Sequence, residues 1–261
     1  MTDRSTEEGA AGEGTLTSHI LELRDRLIKA LGAVLLLALP CIAFSNELFT
    51  LVAQPLIQQL PPGSSLIATS VVSPFMAPFK LALYVALFLA MPVVLYQLWA
   101  FVAPGLYRHE RRFAAPLVLS SILLFYAGVA FAYFVVFPLM FQFFAATTPS
   151  GVTMMTDITQ YLDFVLILFF CFGLAFEIPI AVVLLTQTGL VKVAKLAEAR
   201  GYVLIGIFVV AAILTPPDAV SQVAMALPMW ILYEAGIIMS RLMLRVRRPA
   251  EREDDPEESA A

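Results

Sequence analysis

Apolar residues occupy six long runs of the chain, and short polar turns separate them. The runs cover residues 27–44, 75–102, 116–137, 161–185, 202–214 and 219–239. Proline, glycine and threonine mark the turns, as in PPGSS at 61–65 and TPPD at 215–218. A helix of about 20 apolar residues crosses a hydrocarbon core of ~30 Å. The pattern therefore predicts an all-α integral membrane protein, with six transmembrane helices within residues 15–245.

Composition supports a membrane protein and locates the charge. The chain is 60% hydrophobic and 14% charged, with a mean hydropathy of +0.86, and a soluble domain would need a more polar surface. The segments 1–14 and 246–261 are acidic and poor in apolar residues, which predicts disordered tails. Cys41 and Cys171 lie far apart inside apolar runs, which predicts packing roles and no disulfide.

Basic residues predict the orientation of the helices. Of the sixteen lysines and arginines, all but Lys80 lie before or at the very start of run one, between runs two and three, between runs four and five, or after run six. Because basic residues favour cytoplasmic loops, both termini are predicted to be cytoplasmic. Run 202–214 spans only about 20 Å as a helix, which predicts local bilayer thinning or shielding by a partner. A re-entrant hairpin formed with run six is the alternative.

Prolines occur within or at the ends of five of the six runs. Each removes a backbone donor and tends to bend its helix. Bent helices enclose a concavity, so the sequence predicts a concave wall of proline-kinked helices. These prolines are Pro40, Pro92, Pro138, Pro179 and Pro228.

Two acids on the predicted cytoplasmic side are candidate binding groups. Glu22 lies in an amphipathic segment before the first run, where it and Asp25 form i,i+4 pairs with Arg26 and Lys29. Glu110 lies among arginines in LWAFVAPGLYRHERR at 98–112. Each acid is either a locally neutralised surface charge or a carboxylate that accepts a guanidinium from outside. For Glu22 residue chemistry alone favours the local pair, and for Glu110 it leaves both readings open.

Glu177 is the ionisable residue deepest in an apolar run. Such a residue is expensive to bury and often functional, although a structural hydrogen bond near Pro179 would also account for it. Asp218 is explained by capping the start of run six. The sequence contains no nucleotide loop, zincin motif or nucleophile elbow. Neither His19 nor His109 has an acid or cysteine at metal-ligand spacing. No catalytic activity, metal or cofactor is therefore predicted.

Five segments in order resemble the TatC family, the large polytopic subunit of the twin-arginine protein translocation system. The resemblance extends from about residue 15 to residue 245. The segments are SHILELRDRL at 18–27, IATSVVSPFMAPFKL at 67–81, LWAFVAPGLYRHERR at 98–112, FGLAFEIP at 172–179 and LTPPDAVSQ at 214–222.

This resemblance implies a function that composition does not. TatC-like proteins form a curved wall of six helices in the cell inner membrane and act as receptors for twin-arginine signal peptides on folded precursors. They associate with one another and with single-span TatA- and TatB-type partners. Transport is driven by the proton-motive force, and neither cofactor nor nucleic acid is implied.

Ten positions match residues with roles in that family. Glu22 and Glu110 resemble the acids that recognise the signal's arginine pair; Arg24 and Leu27 lie in the same N-terminal motif, and Phe101 flanks the site. Roles in assembly or translocation are implied for Pro55, Glu177, Thr215, Asp218 and Gln222.

Two other functions compete with a receptor. A proton-coupled solute transporter would use Glu177, but the sequence contains neither an internal repeat nor a second charge as deep in an apolar run as Glu177. An intramembrane hydrolase would need a paired nucleophile and base, and the sequence pattern indicates none.

Overall fold

Ten α-helices, one π-helical turn and two short strands occur in the part of the chain that the structure describes. The computed structural model describes residues 5–57, 65–102, 114–149, 152, 155–215 and 219–253. The helices are α1 Ser5–Ala43, α2 Ser45–Ile57, α3 Ser73–Val102, α4 Ala114–Phe131, α5 Phe137–Thr147, α6 Ile158–Ala175, α7 Ile178–Gln187, α8 Val193–Glu198, α9 Arg200–Leu214 and α10 Ala219–Glu253. The strands are β1 Ser65–Ile67 and β2 Met155–Asp157.

Five stretches are long and apolar enough to cross a membrane. They are Thr17–Ala43, Ser73–Val102, Pro116–Thr147, Ile158–Gln187 and Ala219–Leu244. They match five of the six predicted runs to within one residue, so the all-α membrane fold is confirmed apart from the two strands. The remaining run, 202–214, lies in helix α9, whose 15 residues reach only about 22 Å. Six spans and cytoplasmic termini stay predictions.

Helices also occupy parts of the predicted tails. α1 begins at Ser5 and α10 ends at Glu253, so each helix continues into a segment for which the acidic composition predicts disorder. Disorder of the tails stays a prediction.

Two spans change their helical geometry close to a proline at which the sequence predicts a kink. In the third span, a π-helical turn at Ala132–Val136 precedes Pro138. In the fourth, Phe176 and Glu177 separate α6 from α7, two residues before Pro179. Since Pro179 has no N–H, the helical ladder loses one hydrogen bond there. Pro40 and Pro92 lie inside the helices α1 and α3; bending at these prolines stays a prediction.

The chain divides into two compact units. Unit 1 comprises Met1–Gln54 and Pro74–Ile122. Its core contains small residues that allow α1 and α3 to approach closely: Ala38, Cys41, Ala82 and Ala86. A buried hydrogen bond from Trp99 Nε1 to Ser121 Oγ, 2.7 Å long, joins the end of α3 to α4.

Unit 2 comprises Pro55–Ser73 and Leu123–Ala261. Helices α7 and α10 pack closely around Val182, Tyr233 and Ile237. The buried hydroxyls of Thr186 and Ser240 form a 2.9 Å hydrogen bond across this interface. Buried polar groups need such partners in an apolar interior, so this bond fixes the register of α7 against α10.

The strands β1 and β2 form a parallel two-stranded ladder that the hydrophobic pattern does not predict. Ser65 pairs with Met155 and Ile67 with Asp157. Each strand has three residues, too few for an alternating apolar pattern to emerge.

Candidate functional site

Glu22, the first predicted binding acid, forms an ion pair with Arg26 one helical turn further along α1. The Nε and Nη2 atoms of Arg26 lie 2.9 and 2.6 Å from Glu22 Oε1, which confirms the predicted i,i+4 pair. The side chains of Glu22 and Arg26 are 37% and 24% exposed, and pairs this exposed contribute only about 0.5 kcal/mol. Within the described residues, Glu22 Oε2 accepts no hydrogen bond.

Arg24 binds its neighbour Asp25, and this corrects the pairing predicted for Asp25 and Lys29. Arg24 Nε and Nη2 lie 3.1 and 2.8 Å from Asp25 Oδ1. The branched guanidinium presents two donors to one oxygen, which a lysine ammonium does not do in this planar way. Leu27, in the same motif, is 64% exposed.

Phe101, at the end of α3, contacts the N-terminal motif directly. Its ring stacks on the imidazole of His19, with centroids 4.3 Å apart and 19° between the planes. His19 precedes Glu22 by three residues, so the two are neighbours on the helix surface. The stack brings together two parts of the predicted site that are far apart in sequence. Glu110 lies outside the described residues.

Glu177 lies at the junction between α6 and α7 and is only 9% exposed. Its amide N donates to Leu174 O at 3.0 Å, and its carbonyl accepts from Ala181 N at 2.9 Å. The backbone at Glu177 thus connects two helices of one span. The acid predicted to lie deep in an apolar run is buried, at the point where the helix is interrupted.

Thr215 and Gln222 form hydrogen bonds with the backbone of α9. The buried hydroxyl of Thr215 donates to Ala211 O at 2.9 Å, a bond that accounts for its polarity. Gln222, on α10, donates from Nε2 to Phe208 O at 3.2 Å and so joins α10 to α9. Asp218 and the side chain of Pro55 lie outside the described residues.

Asp157 is a polar residue that the sequence analysis missed. Its Oδ2 accepts from the hydroxyl and amide N of Thr69, at 2.6 and 2.9 Å, and Oδ1 accepts from the amides of Thr159 and Gln160. The hydroxyl of Thr69 foremost, and then its amide, hold the pKa of this carboxyl well below its usual range. Aspartate before I-T-Q fits a helix N-cap followed by glutamine at N3, a recognisable sequence signal.

Consecutive residues of α10 hold the connection between α8 and α9. Tyr233 donates its hydroxyl to Leu196 O at 2.8 Å, and Glu234 accepts from Arg200, with Oε2 2.8 Å from Nη2. Glu234 on α10 is thus paired with an arginine from a different helix, α9.

The predicted residues therefore fall into two sets. Glu22, Arg24, Leu27 and Phe101 belong to unit 1, with His19 linking the end of α3 to α1. Glu177, Thr215 and Gln222 belong to unit 2 and lie at helix junctions within or beside the apolar spans. These features define a polytopic helical membrane protein with polar groups at helix ends and helix junctions.

Comparison with known proteins identifies the family. The family model described as Sec-independent protein translocase protein (TatC) matches residues 18–228. The TatC protein of Azotobacter chroococcum is 57% identical over 235 residues, covering 90% of this chain and 92% of that protein. The TatC of Escherichia coli K12 is 53% identical over 226 residues, covering 87% and 88%.

A solved structure has the same fold. A crystal structure of the twin-arginine translocase receptor TatC superposes with a TM-score of 0.78 at 38% identity and covers 86% of this chain and 98% of that one. The chain belongs to the TatC family. It is a membrane-embedded subunit of a Sec-independent protein translocase, which functions with other Tat proteins and transports proteins rather than catalysing a reaction. This finding disfavours both the solute transporter and the hydrolase.

Proposed function

We propose that this chain is the receptor subunit that binds twin-arginine signal peptides of folded precursors at its cytoplasmic face. With TatA- and TatB-type partners it supports proton-motive-force-driven export across the cell inner membrane. The observation that carries this proposal is the stack of His19 on Phe101. It brings the helix with Glu22 to the end of α3, from which the chain continues toward Glu110.

Carboxylates suit the recognition of paired arginines. A guanidinium presents planar pairs of donors that match a carboxylate, whereas a lysine ammonium is a point charge without that geometry. The Arg26–Glu22 pair demonstrates that two guanidinium nitrogens reach one oxygen of this acid. Each charge-assisted hydrogen bond contributes roughly 1.5–3 kcal/mol, so two acids provide binding that is specific and reversible.

Crosslinking of a precursor tests this site. In membrane vesicles, Glu22→Gln and Glu110→Gln should each weaken crosslinking of a twin-arginine precursor, because an amide does not provide the negative charge. Glu47→Gln is the matched control, since Glu47 is an exposed acid in the first turn of α2 and lies on the predicted opposite side. Membrane insertion should be the same in all three. Undiminished crosslinking in both test variants would refute the site.

We also infer that a single-span TatA- or TatB-type partner binds beside α9. Because α9 is too short to span alone, a partner helix would shield its ends from mismatch with the bilayer. An apolar groove of about 220 Å³ lies along α9 and α10, lined by Leu204, Phe208, Val223, Ala226, Leu227 and Trp230. Gln222, Thr215 and Glu177 supply polar groups in the same unit, and Pro55 and Asp218 complete the set proposed for assembly or translocation.

A photo-crosslinking residue at Val223 tests this docking. Val223 is exposed in the groove, and Leu119, an exposed apolar residue on α4, is the control position. The single-span partners should crosslink at position 223 and not at 119. Equal crosslinking at both positions, or none at 223, would refute docking at α9.

A further inference from the structure

We propose that His19 is a positioning residue for arginine recognition. By stacking on the Phe101 ring, it fixes the orientation of that ring so that one guanidinium of the signal stacks on it. This inference rests on the proposed function and assigns to His19 a role that its sequence context does not suggest. Its nearest acid in sequence is Glu22, and neither cysteine is near it in sequence. The role follows from the contact of its ring with Phe101.

The geometry of the contact is that of a planar stack. The rings are 4.3 Å apart and within 19° of parallel, whereas most of the ring pairs within the apolar spans are tilted or edge-on, as for Phe137 with Tyr161. A planar partner of this kind restricts the rotation of the Phe101 ring. Phe101 is half-buried and His19 is exposed, so the stack lies at the surface of unit 1.

Such a stack favours the binding of arginine over lysine. A guanidinium is planar, weakly hydrated and stacks on aromatic faces, whereas an ammonium remains more strongly hydrated. Glu22 follows His19 by three residues on the same helix. One incoming guanidinium can therefore stack on an aromatic ring close to a carboxylate, and a lysine would gain only the charge interaction. The stack thus contributes to the preference for arginine over lysine.

Two ring-retaining variants and one ring-free variant separate this role from a structural one. His19→Phe and His19→Tyr keep a planar ring against Phe101, while His19→Gln keeps a polar side chain without a ring. Ile20→Ala is the control, because Ile20 is the next residue on α1 and is 65% exposed. The full-length proteins, in lipid nanodiscs, are titrated with a twin-arginine signal peptide and with its twin-lysine counterpart.

The expected result is selective. His19→Gln should weaken binding of the twin-arginine peptide by about three- to tenfold, the worth of one aromatic pair. Binding of the twin-lysine peptide should stay within about twofold of wild type. Both ring-retaining variants and the control should bind both peptides as wild type does, and thermal stability in detergent should be unchanged.

Three results would overturn the role of His19. They are wild-type affinity in His19→Gln, equal weakening for both peptides, and loss in His19→Phe as large as in His19→Gln. Equal weakening would mean that His19 only joins α1 to α3. Failure of the wild-type protein to bind the twin-arginine peptide is a different outcome, because it would overturn the proposed receptor function itself.

Discussion

The crossing of α4 and α6 depends on the absence of a side chain at Gly128. A Cβ built there would lie 2.5 Å from the carbonyl oxygen of Phe172 and 3.0 Å from Gly173 Cα. The contact is reciprocal, since a Cβ at Gly173 would lie 2.5 Å from the Phe125 ring. Phe172 O also accepts a hydrogen bond from Phe176 N, in the turn that leads to Glu177. Gly128→Ala should therefore destabilise the protein and disturb the helix junction beside Glu177.

The magnitude follows from the distances. Non-bonded heavy atoms rest at about 3.5–4.0 Å, so the new methyl group must move the backbone of α6 by about 1 Å. Such overpacking costs about 1–3 kcal/mol. Gain of helix propensity, at most about 1 kcal/mol for glycine to alanine, opposes it. A control with the same chemical change but no clash is therefore needed.

Gly206→Ala is that control, because a Cβ at this position of α9 meets no atom within 4 Å. Both variants are unfolded thermally in detergent alongside the wild type. Each kcal/mol moves the midpoint by about 2–4 °C in a chain of 150–250 residues. Gly128→Ala should unfold well below Gly206→Ala, which should match or exceed the wild type. Equal midpoints for the two variants would refute the close crossing of α4 and α6.

Three further predictions concern individual polar contacts. Glu234→Gln removes the charge that binds Arg200 and should accelerate hydrogen exchange in the first turn of α9; unchanged exchange would contradict this role. Because hydrogen bonds lower the pKa of Asp157 in the folded state, its contribution to stability is present above the ordinary pKa of ~4 and is lost as pH falls toward the lowered pKa. The difference in unfolding midpoint between wild type and Asp157→Asn should therefore shrink as the pH is lowered from 7 into the acidic range. A difference that stays constant with pH would exclude this contribution of the ionised carboxylate. Trp99→Phe removes the indole donor to Ser121 and should lower the free energy of unfolding by about 1 kcal/mol. The double variant Trp99→Phe with Ser121→Ala should lose less stability than Trp99→Phe alone.

The sequence predicts the spans well because the bilayer imposes one strong constraint. An apolar run must be helical when no water satisfies its backbone groups, so five of the six runs match helical stretches long enough to span. The boundaries differ since helices continue beyond the apolar residues, as in Thr17–Ala43. The short parallel ladder of β1 with β2 escapes detection, because pairing between segments that are distant in sequence leaves no periodic pattern in either one.

The candidate site was predicted from local sequence patterns only in part. The Glu22–Arg26 pair follows from i,i+4 spacing within one helix, and the structure confirms it. For Asp25, the adjacent Arg24 is the partner, because two donors next to the carboxylate outcompete a lysine one turn away. No sequence pattern indicates the stack of His19 on Phe101, because the two residues are distant in sequence and helix packing brings them together.

Binding of paired arginines is the central claim, and one titration tests it most directly. The wild-type protein, alone in lipid nanodiscs, is titrated with a twin-arginine signal peptide and with the same peptide carrying two lysines. If the carboxylates and the aromatic stack recognise guanidinium geometry, the twin-arginine peptide binds at least about tenfold more tightly. Equal affinity for the two peptides would contradict the claim, because charge alone would then account for binding.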